Sequence, residues 1–368
     1  MLRSKLMITF ASKFKLSLML LNQFHKRFPD EESCISYFKE IREKTLSKCP
    51  KCGHDVYSWV PRKEAFECKK CRHRIPLTKD TVMEHSKLPL RTWFYTMHLI
   101  TSIKQVLSAK EVQYQLGMEQ YPPVWLMMMK LRSIMGKREE MYLLNGKIEL
   151  DEAFFPTRIE EAEKGKPLRR GAGSQRQTKV LVIVESKEVD EILKEYLEKI
   201  QIDKAVALEK KAKGRKTRKT VRYIKMFAIE NMEASTIDQI LAKSVDKNAV
   251  IVTDGHASHS HIKENFAGHI PVVEYDPEKV VKNTLPWVHM IIGECRNGIA
   301  AIHKEIDSRF LQLYLNEYCW KFNRRFFRDS SNPKYDLFDR LVKIAAVYTS
   351  DIKWRDYPNA EKDDEEVL

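Results

Sequence analysis

The sequence predicts an α/β protein in which a mixed five-stranded sheet carries helices on its faces. A small zinc-binding module and a helical segment precede the sheet. Three observations support this fold class: two cysteine pairs stand near the N-terminus, apolar residues at helical spacing follow them, and short β-rich runs begin beyond Gly146. A chain of 368 residues is long enough for several domains of roughly 100 to 200 residues each.

Composition favours a folded protein that binds a polyanion. Hydrophobic residues make up 43% and charged residues 32%, which excludes wholesale disorder and the membrane class. Lys and Arg exceed Asp and Glu by 65 to 51, so the net charge of +14 indicates nucleic acid as the first partner to consider. Nine basic side chains and no acidic one occupy residues 210–225, a pattern typical of either a DNA-contacting segment or a solvated loop.

An apolar stretch at residues 14–24 resembles a signal-peptide core at first sight. Lys15 interrupts it and no small-residue cleavage site follows, so the stretch predicts an amphipathic helix. No other stretch reaches the roughly 18 apolar residues that a membrane span needs. We therefore expect a cytoplasmic, nucleoid-associated protein with no membrane partner, in which cysteines stay reduced and available to metals.

Four of the seven cysteines form two C-x-x-C pairs with fifteen residues between them. This spacing predicts one structural Zn²⁺ in a closed tetrahedral site, because two short turns can present four thiolates to a single ion. A redox pair and chance spacing are the alternatives. The predicted zinc ligands are Cys49, Cys52, Cys68 and Cys71. The remaining three, Cys34, Cys295 and Cys319, are predicted to be buried free thiols.

The segment after the second cysteine pair predicts helices in a helix-turn-helix-like arrangement. Ser108 is a candidate N-cap, Gly117 breaks the first helix, and a second helix begins near Pro123. A short helical hairpin without any DNA-binding role shows the same punctuation, so the sequence leaves both interpretations open. Met127, Met128 and Met129 are predicted to fill the core.

Beyond Gly146 the predicted order of elements is βββαββα, which describes a mixed sheet flanked by helices. The predicted strands are residues 147–155, 179–186, 221–229, 249–254 and 271–275, and the predicted helices are residues 235–245 and a second one that begins near Pro286.

The predicted domains follow these composition changes along the chain. They are an N-terminal helical segment at 1–45, a zinc ribbon at 46–85, a helical, helix-turn-helix-like DNA-binding region at 86–142, an α/β domain at 143–328 with an insertion at about 186–220, and a C-terminal helix with an acidic tail at 329–368.

Three acidic residues in the predicted α/β region are candidates for a metal site. Asp151 lies in the middle of the first strand, Asp254 closes the fourth, and Glu294 lies on the helix that follows the fifth. If these strands are neighbours, the carboxylates converge and need a cation, and such hard oxygen ligands suit Mg²⁺ or Mn²⁺. Glu149 and Glu152 are assigned to the opposite strand face from Asp151, and each Asp could instead be structural.

Three histidines follow Asp254 closely and offer a different metal site. They are His256, His259 and His261. The interpretation that we favour is an ordinary solvated loop, since a loop after a strand is a common place for exposed histidines.

Several blocks of the chain resemble bacterial insertion-sequence transposases of the DDE type, which carry an N-terminal zinc ribbon ahead of an RNase H-like catalytic domain. The blocks are "CPKCG" to "CKKC" followed by "LPLRTWF"; "GKIELDEAFF"; "VIVTDG"; and "LPWVHMIIGECRNGIAAIH" with "FLQLYLNEYCWKFNRR". They cover roughly residues 20 to 328 in the order that is usual for the family.

The resemblance implies catalytic and metal-binding roles for Asp151, Asp254 and Glu294, with two Mg²⁺ or Mn²⁺ ions per active site. His289 matches a family histidine, and Arg296 stands where many members have Lys. The implied DNA contacts are His289, Arg296, Lys213, Arg215, Lys216, Arg218 and Lys219.

The implied activity is DNA strand cleavage at the ends of a mobile element, followed by transfer of each 3′-OH to target DNA. The implied partners are the terminal inverted repeats, the target DNA and a second copy of the chain, in a homodimer or a larger assembly. Two alternatives stay open: a catalytically silent, sequence-specific DNA-binding regulator, and a stand-alone RNase H-like nuclease that cuts without joining.

Overall fold

The fold is described from a computed structural model. It covers residues 19–160, 163–198, 205–206, 208–209, 218–256, 259, 261–272, 285–326, 334 and 336–358. The chain divides into two compact units. One comprises the described residues from 139 to 326, and the other those from 19 to 138 and from 334 to 358.

The cysteine-bearing unit combines a three-stranded antiparallel sheet, in the order β1-β2-β3, with a group of helices. Its strands are β1 Tyr57–Val60, β2 Ala65–Cys68 and β3 Arg74–Pro76. Its helices are α1 Leu21–Arg27, α2 Glu31–Thr45, α3 Leu90–Ser102, α4 Ala109–Leu116, α5 Tyr121–Glu139 and α11 Leu337–Val347, the last of which follows the other unit in the chain. Aromatic side chains of α1, α3 and α11 fill its core, where the Phe24, Phe94 and Phe338 rings are buried.

The helices predicted around Gly117 are present. The Ser108 hydroxyl accepts a hydrogen bond from the Glu111 amide at 3.0 Å and caps α4, and Gly117 ends it in the left-handed region at φ +62°. Arg132 of α5 is fully buried, and its guanidinium donates to the Leu107 carbonyl at 2.7 Å. Lys130, Lys137 and Arg138 of the same helix are partly exposed, so a recognition role for α5 stays a prediction.

The second unit is built on a five-stranded mixed sheet in the order β6-β5-β4-β7-β8. Its strands are β4 Lys147–Pro156, β5 Gln177–Glu188, β6 Lys219–Ile229, β7 Val250–Thr253 and β8 Gly268–Pro271. Its helices are α6 Val189–Glu198, α7 Ala234–Ser244, α8 Ile262–Asn265, α9 Pro286–Ala300 and α10 Leu311–Asn323. The first three strands are antiparallel, whereas β4–β7 and β7–β8 are parallel pairs. The predicted mixed five-stranded sheet flanked by helices is therefore confirmed.

Two details of the predicted strands differ from the structure. The fifth strand begins three residues earlier than predicted, because Gly268 pairs with Val250 on β7; residues 273–275 of the predicted strand lie outside the described part of the chain. β5 and β6 are also longer than predicted and continue their pairing to Glu188 and Lys219. This extension takes up residues that the sequence assigned to the insertion.

The two faces of the sheet have different coverings. Ile148 and Leu150 of β4 pack with Ile237 and Leu241 of α7 in one buried cluster. The alternate residues of β4 point to the other face, because side chains along a strand alternate. On that face β4 and β5 pack against α9. Asp151 belongs to this second set, so its side chain and helix α9 share a face of the sheet.

Candidate metal centres

The four predicted zinc ligands meet in space. The Sγ atoms of Cys49 and Cys71 are 3.6 Å apart, as are those of Cys52 and Cys68. A tetrahedral zinc site with Zn–S distances of about 2.3 Å needs Sγ–Sγ separations of about 3.8 Å. Within the described ranges, these cysteines are the only group of three or more His, Cys, Asp or Glu residues whose ligand atoms all lie within 4.8 Å of one another.

Each cysteine pair is shaped by the same backbone hydrogen bonds. The Cys49 amide donates to the His54 carbonyl at 2.8 Å, and the Cys68 amide donates to the His73 carbonyl at 2.9 Å. The residue after the second cysteine of each pair takes a positive φ, +70° at Gly53 and +60° at Arg72. The geometry of the two turns therefore places the sulfurs of each cysteine pair close to those of the other pair. The other three cysteines are buried free thiols, as predicted.

Asp151 and Asp254 approach each other because of the parallel pairing of β4 with β7. The pairing joins Lys147 to Val250 and runs to Glu149 and Val252. Continuing the same register by two positions sets Asp151 beside Asp254, just past the end of β7. The sequence analysis set the neighbouring position of these two strands as a condition, and the register meets it.

The two carboxylates have different electrostatic surroundings. Burial, followed by the nearby charges of Glu152 and Asp254, raises the pKa of Asp151 to about 7. The side chain of Asp254 is 44% exposed, and the imidazole of His259, 3.3 Å away, holds the pKa of Asp254 below its usual range. A buried carboxyl with a raised pKa next to a second carboxyl is an arrangement that a bound cation stabilises.

His259 is the residue that sequence reasoning missed most clearly. Its side chain is fully buried, with Nε2 2.9 Å from Glu152 Oε1 and Nδ1 3.3 Å from Asp254 Oδ1. The two carboxylates raise the pKa of His259 to about 9 in spite of its burial. The interpretation of the three histidines as a solvated loop is therefore wrong for His259, although His256 and His261 are exposed.

Glu149 has a role that was also misjudged. It lies two residues before Asp151, so it shares the face of Asp151 and its assignment to the opposite face is wrong. Its buried carboxylate accepts hydrogen bonds from the amides of Trp287 at 2.8 Å and Val288 at 3.0 Å. Helix α9 has no side-chain cap of its own, and this missing cap was the sequence signal that an acceptor must come from elsewhere.

Helix α9 brings a different residue to Asp151 from the one that was predicted. His289 Nδ1 is 3.5 Å from Asp151 Oδ2, and the guanidinium of Arg296 lies over the Phe155 ring at 5.5 Å. Glu294 is exposed, and its charge acts on Tyr318 of α10, whose pKa is raised mainly by burial and then by Cys295 and Glu294. The structure therefore brings Asp151 and Asp254 together, and Glu294 lies on an exposed part of α9, where its role as third ligand stays a prediction.

The basic run is described only at its C-terminal end. Arg218 Nη2 contacts Asp190 at 2.6 Å and Glu209 at 3.1 Å, and Lys219 lies 3.3 Å from Glu188. The other three candidates, Lys213, Arg215 and Lys216, lie outside the described residues. The side chains of Arg218 and Lys219, the two predicted DNA contacts that the structure describes, are engaged by carboxylates. They are therefore less available to DNA than their charge alone indicates.

Sequence comparisons now decide the family. An ISXO2-like transposase domain matches residues 143–323, and a transposase zinc-ribbon domain matches residues 29–74. Both domain models describe IS1595-type transposases, and together they cover more than half of the 368 residues. The chain belongs to the IS1595 transposases. This assignment confirms the resemblance to zinc-ribbon insertion-sequence transposases.

Individual relatives of this transposase chain are more distant. An uncharacterized protein in transposable element ISH50 of Halobacterium salinarum is 26% identical to this chain over an alignment of 172 residues. The alignment covers 43% of this chain and 55% of that protein. The chain thus spans about half the length of this curated relative.

Among solved structures, the Mos1 mariner paired end complex with Mn matches with a TM-score of 0.27 and 13% identity, over 72% of this chain and 78% of that chain. A pre-cleavage Mos1 transpososome matches with a TM-score of 0.22 and 12% identity, over 72% of this chain and 82% of that chain.

None of the described helices of the IS1595-type chain is long and apolar enough to cross a membrane.

Proposed function

We propose that this chain is a DNA transposase that cuts DNA at the ends of its insertion sequence and joins those ends to target DNA. The observation that carries the proposal is the approach of Asp151 and Asp254 across β4 and β7, in a chain that belongs to a transposase family. The net charge of +14 supports a polyanionic substrate.

The acidic pair fits divalent cations. Carboxylate oxygens suit Mg²⁺ and Mn²⁺, and because burial and the nearby charges of Glu152 and Asp254 raise the pKa of Asp151, a divalent cation would stabilise its charged form. Two such ions, when bound, supply activation of an attacking oxygen and stabilisation of a leaving oxygen in phosphoryl displacement. Asp151 and Asp254 hold the ions in this proposal, and Glu294 stays the third ligand that the family resemblance predicts.

The remaining residues of the site bind and orient DNA. The guanidinium of Arg296 lies over the ring of Phe155, which is four residues beyond Asp151 on β4. In this proposal the positive charge held there contacts a phosphate of the substrate. In this proposal Lys213, Arg215 and Lys216 extend the phosphate contacts, whereas Arg222 and Lys225 of the same run are buried, and DNA binding should weaken steeply as salt rises. The cysteine cluster holds one structural Zn²⁺, which stabilises the ribbon and takes no part in the chemistry.

A transposition reaction must hold two element ends together. We propose that the chain acts as a homodimer or larger assembly on its terminal inverted repeats, in the cytoplasm and on the nucleoid. The proposal would be supported by mass photometry that finds two chains on paired element ends and one chain in the absence of DNA.

The direct experiment measures cleavage of element-end DNA with Mg²⁺ or Mn²⁺. Asp151→Asn and Asp254→Asn should each lower the cleavage rate by about a thousandfold or more, since a metal-ligand carboxylate is lost. Both variants should keep DNA affinity in a mobility-shift assay without divalent metal. Wild-type cleavage rates in both variants would refute the proposal.

One observation favours a second candidate function. Glu294 is exposed on α9, and a site with two acids and no third ligand would suit a regulator that binds DNA without cutting it. Such a regulator would bind element ends, and it would not cut them whichever divalent metal is supplied. A nuclease would cut but not join, so a strand-transfer assay on the same substrate separates all three functions.

A further inference from the structure

The two aspartates of the carboxylate site are held in the same way. Asp151 Oδ1 accepts a hydrogen bond from the Glu152 amide at 2.8 Å, and Asp254 Oδ1 accepts one from the His256 amide at 3.0 Å. In each residue, a backbone amide one or two positions further along the chain engages one carboxylate oxygen. The second oxygen of each aspartate, Oδ2, is left for another partner.

His259 adds a second contact to the same oxygen of Asp254. Its Nδ1 lies 3.3 Å from Asp254 Oδ1. A carboxylate has about four lone-pair sites, two on each oxygen. Because the His256 amide and the His259 imidazole both face Oδ1, one edge of the Asp254 carboxylate is directed at protein groups. Oδ2 is then the oxygen that can meet a cation.

The imidazole of His259 is itself anchored by Glu152. The His259 Nε2 lies 2.9 Å from Glu152 Oε1, and both side chains are buried. Glu152 follows Asp151 within β4, so its side chain points away from the face of Asp151. Asp254 has no such support from its own strand, because the pairing of β7 with β8 ends at Thr253. A residue fixed in β4 therefore holds, through His259, a residue that stands just past the end of β7.

The exposure of the three side chains connects this buried pair to the site. Glu152 and His259 would need only each other if their role were confined to the core. Instead, the second ring nitrogen of His259 faces Asp254, whose side chain is partly open to solvent. The pair therefore ends at the carboxylate that a substrate and its cation can reach.

We infer that His259, anchored by Glu152, is a positioning residue that holds Asp254 so that its Oδ2 meets the divalent cation. This inference rests on the proposed function and leaves its ligand set unchanged. Groups that hold metal ligands in place typically contribute about 10-fold to 100-fold to metal affinity. Without the imidazole, the Asp254 side chain can turn and the cation loses a prepared ligand.

The test uses the full, zinc-loaded chain and measures Mn²⁺ affinity from the electron paramagnetic resonance signal of the free ion. His259→Ala should lower the affinity by about tenfold or more. The sign of the change is informative, because removing a positive charge that had no positioning role would raise the affinity for a cation. His261→Ala removes a nearby exposed imidazole and should leave the affinity unchanged.

A double-mutant cycle separates positioning of Asp254 from a general loss of structure. If His259 acts through Asp254, His259→Ala should change the Mn²⁺ affinity by less than about twofold once Asp254→Asn is present. Glu152→Gln removes the charge that anchors the imidazole and keeps a side chain of similar size. It should show the same pattern, and it replaces His259→Ala in the cycle if that variant does not fold.

Two results would overturn the inference. One is a Mn²⁺ affinity that stays the same or rises when the support of Asp254 is removed. The other is an equal loss of affinity in the wild-type and Asp254→Asn backgrounds. Failure of the proposed function looks different, because Mn²⁺ would then bind Asp151→Asn and Asp254→Asn as tightly as the wild-type chain.

Discussion

The cysteine site and the carboxylate site of this protein differ in how their ligands are brought together. All four sulfurs of the cysteine site lie within 4.8 Å of one another, and they come from two short turns that each repeat the same hydrogen bonds. Asp151 and Asp254 are 103 positions apart in the chain and meet only through strand register. The first site is set by local geometry, and the second depends on the whole sheet.

This difference has a consequence for the role of each site. A closed thiolate cluster offers no place for a substrate, so it suits a structural ion. The carboxylate site is held by protein charges instead: His259 bridges Glu152 to Asp254, and Glu149 fixes the helix that carries His289. The side chain of Asp254 is 44% exposed, so this site is open to solvent there, as a reacting phosphate requires.

Removal of the ribbon metal should produce the largest effect. Structural zinc contributes about 10 to 16 kcal/mol of binding free energy in small zinc modules, and that energy is also folding energy. Cys52→Ser, or treatment with a strong chelator, should therefore unfold residues 49–76, and limited proteolysis should cut there. His54→Ala, beside the same turn, should keep one zinc per chain by mass spectrometry. If the ribbon resisted the protease without zinc, the claim that the cysteine site is a structural metal site would be contradicted.

Loss of the His259 bridge should come next in size. His259→Ala leaves the carboxylate of Glu152, only 5% exposed, without its cationic partner. Removing one partner of a buried ion pair typically costs about 3 to 5 kcal/mol, so the urea midpoint should fall clearly in metal-free protein. His261→Ala removes a nearby exposed imidazole and should change stability little. Equal stability of the two variants would mean that the carboxylate site does not depend on this bridge.

Removal of the Glu149 cap should have a smaller effect. Glu149→Ala leaves the buried amide of Val288 and the partly buried amide of Trp287 without their acceptor, at about 1 to 3 kcal/mol for the buried group and less for the partly exposed one. Glu149→Gln keeps an acceptor oxygen and should recover most of the free energy of unfolding. Urea unfolding followed by circular dichroism measures both variants. A Gln variant as unstable as the Ala variant would show that the charge, rather than the hydrogen bonds, fixes the helix.

Sequence reasoning reached the parts of this protein that depend on short-range patterns. The cysteine spacing, the apolar stripe of α7 and the start of α9 at Pro286 follow from local rules, and the structure has all three. The pairing of β4 with β7 was only a condition in that reasoning, because periodicity along a strand does not identify its neighbour.

The errors concern side chains whose surroundings come from distant segments. His259 looked like one of three loop histidines, yet it is buried between acids on β4 and after β7. Spacing identifies candidates for a site, and packing decides which of them face it.

The most direct measurement is the anomalous difference density of Mn²⁺ in a crystal of the zinc-loaded chain. The central claim is that Asp151 and Asp254 share a divalent cation at the sheet edge. It predicts a Mn²⁺ peak within about 2.5 Å of a carboxylate oxygen of each residue, and no peak in crystals of Asp151→Asn. A peak held by other residues, or the same peak in the Asp151→Asn crystal, would contradict it.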